Sequence, residues 1–189
     1  MIARLVEGSR GLRIQQTADA FEGLVWVIVG QQVNVSFAAI CRARLAELAG
    51  TPVGDMVAHP SADEVARLDV ADLLPLQFSR RKAEYVIDTA RLIASGELDL
   101  ERLRTEPAQE IERTLLAVRG LGRWSVNYLM MRSFGLADCV PAGDSALGSA
   151  LTNFFGLSAR PDADETVRQM EVFAPHRSLA TIHLWRSYS

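Results

Sequence analysis

Val118-Arg119-Gly120-Leu121-Gly122-Arg123-Trp124, followed about twenty residues later by Pro141-Ala142-Gly143-Asp144, is the part of this chain that decides its fold. Ile111, Leu115 and Val118 recur at helical spacing before the turn, and Val126, Met130, Met131 and Phe134 do so after it. The spacing predicts two helices joined by a tight hairpin. Two glycines one residue apart let the backbone turn sharply and leave no side chains over the turn. The amide N–H groups of the turn and of the next helix's first turn can then bind an anion, helped by the helix dipole. From Arg113 to Ala137 there are four arginines and no acid, so the expected anion is a phosphate of a larger polyanion. Asp144, in a loop with a proline and a glycine, stands where a catalytic carboxylate can be held. A phosphate-holding hairpin followed by a placed aspartate points to chemistry on DNA.

With 189 residues, 49% hydrophobic and 23% charged, the chain can build one full core or two small lobes. The net charge of −3 runs against nucleic-acid binding, although the acids concentrate between Asp55 and Glu112 and the hairpin region is purely basic. The longest strongly apolar run, Leu24 to Val29, is too short to span a bilayer. No signal-peptide pattern opens the chain, so the expected location is cytoplasmic. Cys41 and Cys139 lie among apolar neighbours and read as buried thiols. His59, His176 and His183 form no helical ligand pair, and no zinc site is expected.

The rest of the chain reads as all-α. Phe21, Leu24, Val25 and Ile28 form a stripe that Gly30 ends. Asn34 or Ser36 can cap a helix running to Gly50, and Ser61 with Glu64 makes a capping-box pattern. Ser79 can cap a helix closed by Gly96; Asp162 with Glu165 opens another, and Pro175 or Ser178 begins the last. No strand alternation is evident.

Beyond the hairpin and Pro141 to Leu147, four stretches carry a likeness: Gly30-Gln31-Gln32-Val33-Asn34-Val35, Arg80-Arg81-Lys82-Ala83-Glu84, Arg123-Trp124-Ser125-Val126-Asn127-Tyr128, and Pro175-His176-Arg177-Ser178 with Leu184-Trp185. With them the chain resembles the helix-hairpin-helix DNA glycosylases, and most closely their alkylation-repair branch, the 3-methyladenine DNA glycosylase II type. The resemblance covers nearly the whole chain. It implies a single glycosylase domain of two helical lobes with the active site between them, one lobe spanning roughly 36–134 and the other combining roughly 1–35 with 135–189. Some members carry a further N-terminal domain.

The resemblance makes Asp144 the catalytic carboxylate; taken alone, it reads equally as a helix N-cap, and the two roles can coexist. Trp124, Tyr128 and Trp185 align with the aromatics of the base pocket, though any one alone could be core. Trp124 stands where bifunctional relatives keep their lysine nucleophile, and the four-cysteine iron–sulfur motif is missing, which implies a monofunctional enzyme. DNA contacts are expected from the hairpin residues Arg119, Gly120, Leu121, Gly122, Arg123 and Ser125, and from Arg177 and Ser178 at a later helix start. Gln32 is expected to fill the gap left by a flipped base, with Gln31 beside the lesion; a plain loop is the alternative. Arg80, Arg81 and Lys82 oppose their helix dipole and read as a solvated face or a phosphate contact.

The implied activity is hydrolysis of the N-glycosidic bond of an alkylated purine flipped from double-stranded DNA, as a monomer and without organic cofactor or side-chain metal site. Family hairpins often hold a monovalent cation on backbone carbonyls. The rivals are a glycosylase for an oxidised, deaminated or mismatched base, and a non-catalytic hairpin module that only holds DNA.

Overall fold

The computed structural model describes residues 2–188. Along the described residues run helices α1 (Ile2–Val6), α2 (Ala20–Gly30), α3 (Val35–Ala49), α4 (Ala62–Ala66), α5 (Val70–Leu73) and α6 (Arg80–Ala94). They are followed by α7 (Leu100–Leu103), α8 (Ala108–Leu116), α9 (Arg123–Arg132), α10 (Ser145–Phe155), α11 (Ala163–Met170) and α12 (Arg177–Tyr188). The all-α reading holds, with one departure. Strands β1 (Pro52–Val53) and β2 (Met56–Val57) pair antiparallel around Gly54, and at two residues each they are too short to show alternation.

The caps explain where the helices begin. Asn34 accepts from the Phe37 amide at 2.8 Å to start α3, and Ser61 and Glu64 bond reciprocally at the start of α4. Ser79 accepts from the Lys82 amide, and Asp162 from that of Glu165. Helix α2 is buried on most of its surface, from Phe21 through Leu24, Val25 and Val27 to Ile28 and Val29. Such a helix cannot lie on a surface and has to be wrapped by neighbours.

The chain divides into two compact units: residues 17–121, and the residues up to Gln16 together with those from Gly122 onward. These borders differ from the expected ones at 35/36 and 134/135. Helix α2 packs on α3 and α6 and so belongs with them. Helix α9 belongs with the later helices, because its Asn127 accepts from the Val140 amide at 3.3 Å and its Tyr128 ring meets Trp185.

Within residues 17–121, α4 and α5 also pack on α6, whose buried face is Ala83, Val86, Ile87, Thr89 and Ala90. The second unit has its own core. Leu147 and Leu151 of α10, Met170 of α11 and Leu184 of α12 are fully buried there, with Leu5 of α1 and Phe173 close to it. Truncating one of these leucines to alanine costs about 2–5 kcal/mol. This core holds α10 and α12 together, and the site described next hangs on that pair.

Candidate active site

Gly143, at φ +89°, lets the chain turn between Pro141 and Asp144, and the Asp144 amide closes the turn on the Pro141 carbonyl at 3.1 Å. Asp144 is the N-cap of α10, its Oδ1 accepting from the Leu147 amide at 2.8 Å. The cap role is therefore real. The same carboxylate has two further partners: Trp185 Nε1–H donates to Oδ1 and Trp124 Nε1–H to Oδ2, each at 3.0 Å. The helix end and three N–H donors stabilise the anion without neutralising it. Of about four acceptor sites on a carboxylate, three are taken, and the fourth, on Oδ2, can hold a water.

The rings form a ladder beside this anion. Trp124 and Tyr128, four apart on α9, have centroids 5.4 Å apart, and Tyr128 lies 5.9 Å from Trp185 of α12. All three are half-buried, as is Asp144. The structure thus brings together Asp144 and the three aromatics expected to line the base pocket. Asn127 had been given no role. Its Nδ2 donates to the Arg123 carbonyl at 3.2 Å while its Oδ1 holds the Val140 amide, which ties α9 to the segment that leads into the Asp144 turn. An asparagine in mid-helix, a poor helix former, was the available signal.

The hairpin glycines differ. Gly120 sits at φ +94°, and a Cβ there would collide with the Tyr85 ring, so glycine is required. Gly122, the N-cap of α9, has φ −108° and open space where a Cβ would be. No internal packing demands glycine at 122. A bare surface and no side-chain cap leave the start of α9 shaped for an external acceptor.

The arginines and Ser178 expected at DNA have partners within the protein. Arg119 donates to Glu84 at 3.0 Å and Asp88 at 3.2 Å and lies 5.3 Å over the Tyr85 ring, so it clamps the hairpin to α6. Arg123 pairs with Asp164 at 3.0 Å, an exposed pair worth little and easily exchanged for a phosphate. Arg177 makes two 2.7 Å bonds to Asp138 and one of 2.9 Å to Glu171, which holds the Asp138 carboxyl below the usual range. Ser178 is fully buried, donating to the Leu136 carbonyl at 2.7 Å and accepting from the Cys139 amide at 2.9 Å. Arg177 and Ser178 thus tie the start of α12 to residues 136–139, the segment after α9. The side chains of Leu121 and Ser125 are also buried, and the Leu121 N–H is taken by the Val118 carbonyl at 3.1 Å. Apart from Glu171, six residues before Arg177, these acid partners lie more than thirty residues from their arginines, so no local pattern announces them.

Gln31 ends α2 with its side chain on the Gly120 carbonyl at 2.8 Å, and Gln32 beside it is exposed at φ +55°, a conformation that costs about 1–2 kcal/mol for a residue with a Cβ. Lys82 is the chain's only lysine, and its Nζ donates to the Val29 carbonyl at 2.6 Å. The charge that opposes its own helix dipole thus caps the C-terminus of α2, and burial pushes its pKa down. Among the described residues no three His, Cys, Asp or Glu side chains gather as a metal site, and no helix is long and apolar enough to cross a membrane.

Comparison with known proteins supplies the family. The model of the HhH-GPD superfamily base excision DNA repair proteins matches residues 25–176. The chain belongs to this superfamily. Within the superfamily it is 32% identical to the DNA-3-methyladenine glycosylase of Bacillus subtilis, over 93% of this chain and 59% of that protein. It is 30% identical to DNA-3-methyladenine glycosylase 2 of Escherichia coli, over 97% of this chain and 63% of that one. This HhH-GPD chain thus spans less than two thirds of the length of either. The 3-methyladenine DNA glycosylase of Schizosaccharomyces pombe, solved with abasic DNA, shares its fold at a TM-score of 0.85 and 24% identity, covering 98% of this chain and 88% of that one.

Proposed function

We propose that the chain is a monofunctional DNA glycosylase that removes an alkylated purine from duplex DNA in base excision repair. The observation that carries this reading is Asp144, an anion fixed by two indoles whose rings, with Tyr128 between them, offer a stacking surface. Breaking the base–sugar bond leaves the electron pair on the base and positive charge on the sugar. Asp144 stabilises that charge as it develops. A water on the remaining Oδ2 site attacks the sugar carbon and gives its proton to the carboxylate, so the products are free base and an abasic sugar. An alkylated purine carrying positive charge leaves as a neutral base and gains cation–π attraction from the ring ladder while bound. The names of the relatives support the same substrate class.

Backbone amides at the start of α9 are the proposed grip on the DNA backbone, which makes binding indifferent to flanking sequence. We further propose that the protein acts as a single chain, with a monovalent cation on hairpin carbonyls as its one inorganic partner. Cleavage of the strand by a lyase step needs an amine nucleophile, and the only lysine side chain is engaged on Val29.

The test is base release from duplexes that carry 3-methyladenine, 7-methylguanine, 8-oxoguanine, uracil or a mismatch. Release of the alkylated purines, with an intact strand and no borohydride-trapped complex, is the expected result. Preferential release of an oxidised or deaminated base moves the substrate assignment, a trapped complex ends the monofunctional one, and no release from any duplex leaves only a DNA-holding module.

A further inference from the structure

Gln31 is the loop side chain that the chemistry at Asp144 does not use. Its own amide already bonds to the Ile28 carbonyl, so α2 does not need the side chain as a cap. The side chain instead reaches a carbonyl 89 residues away, that of Gly120 in the hairpin. That hairpin is itself immobilised. The Tyr85 ring leaves no room above Gly120, and Arg119 is held by Glu84 and Asp88, so α6 grips the turn at two adjacent residues. From the same helix Lys82 holds the Val29 carbonyl, and Asn34 fixes the start of α3. The loop between α2 and α3 is therefore tied at Val29, Gln31 and Asn34. Between the last two ties stands Gln32, exposed and at positive φ, a pose that persists only where the surroundings over-determine it.

The tie works in both directions. A carbonyl that accepts a hydrogen bond makes the N–H of its own peptide a better donor. The peptide of Gly120 carries the Leu121 N–H, which closes the hairpin on the Val118 carbonyl at 3.1 Å. Gln31 thus tightens the turn while it holds the loop. Only a side chain of this length with a donor end does so, since glutamate would set one acceptor against another.

We propose that Gln31 is a positioning residue that bolts the α2–α3 loop to the hairpin, so that Gln32 is presented in one fixed pose to a duplex from which a base has been displaced. The proposal rests on the base-flipping reading above. Because the loop is ordered before binding, its ordering cost does not fall on the encounter with DNA.

The experiment compares binding of an intact duplex and of the same duplex with a tetrahydrofuran abasic site, by fluorescence anisotropy, for the full chain. Wild type should prefer the abasic duplex. Gln31→Glu and Gln31→Ala should each lower that preference about tenfold, as expected for one lost hydrogen bond to a part-buried group, with thermal melts confirming that both fold. In a Gln32→Ala background the same Gln31 changes should have little further effect on the preference, because they act through Gln32. An unchanged preference in Gln31→Glu and Gln31→Ala overturns the proposal. So does a loss of equal size with and without Gln32. Binding preference is read without catalysis, so a wild-type protein that releases no base would remove the enzymatic reading and still leave this test decisive.

Discussion

Asp144 is bound by three N–H donors, and that number sets what substitution there does. Asparagine keeps the size of the side chain but loses the charge, and its Nδ2 would also face the Trp124 Nε1–H, donor against donor. Asp144→Asn should slow single-turnover base release by at least about a hundredfold and leave lesion binding largely intact, because the anion matters in the transition state. Rates near wild type would remove Asp144 from the chemistry. The tryptophans carry two separable contributions, ring face and N–H edge. Trp185→Phe keeps a ring and deletes a donor to a charged group; about tenfold slower release is expected, equally on cationic and neutral lesions. Trp185→Ala removes the face as well and should add a further loss that is larger on 7-methylguanine than on a neutral base. Single-turnover rates on the two lesion types separate these effects.

At the level of elements, the hairpin's two glycines have opposite reasons for being there, which gives a paired test. Gly120→Ala meets both positive φ and the Tyr85 ring, and should lower thermal stability by more than about 1 kcal/mol. Gly122→Asp places a favoured N-cap residue at an extended backbone in open space, so stability should hold or rise. The same carboxylate caps the amides meant for phosphate and repels it, so affinity should fall for all duplexes alike. Melting curves beside salt-dependent binding would show this, and undiminished affinity in Gly122→Asp would move the DNA grip elsewhere. The contrast also marks what the sequence made legible. Caps such as Asn34, Ser61, Ser79 and Asp162 work within four residues, and all four were readable from their neighbours. So was the meeting of Trp124 with Tyr128, which follows from helical spacing. The partners of Arg119, the Arg177–Asp138 pair and the Gln31–Gly120 bond join positions tens of residues apart, where no local rule reaches. The two φ values could not be read either, because glycine permits both.

Across the whole molecule, each unit carries one buried histidine nitrogen without a partner among the described residues, Nε2 of His59 and Nδ1 of His183. Burial lowers the pKa of both; nearby Arg186 adds to this at His183, and at His59 Glu22 works against it. The unfolded chain therefore takes up protons before the folded one as pH falls. Stability should be level above the ordinary imidazole value of about 6.5 and decline below it, toward the lowered folded values. Urea midpoints at about pH 7.5 and about pH 5.5 should differ in that sense, and His183→Asn should flatten the decline; a midpoint that does not fall in acid would contradict it. Lys82 has one more consequence. As the only lysine, it is the single place where a lysine-specific protease can cut this chain, and it lies in the first turn of α6, the helix on which α2, α4 and α5 pack. Cleavage must wait for that turn to open, so the rate of one clean cut into two fragments is a clock for the opening of residues 17–121, and duplex DNA that engages the hairpin should slow it.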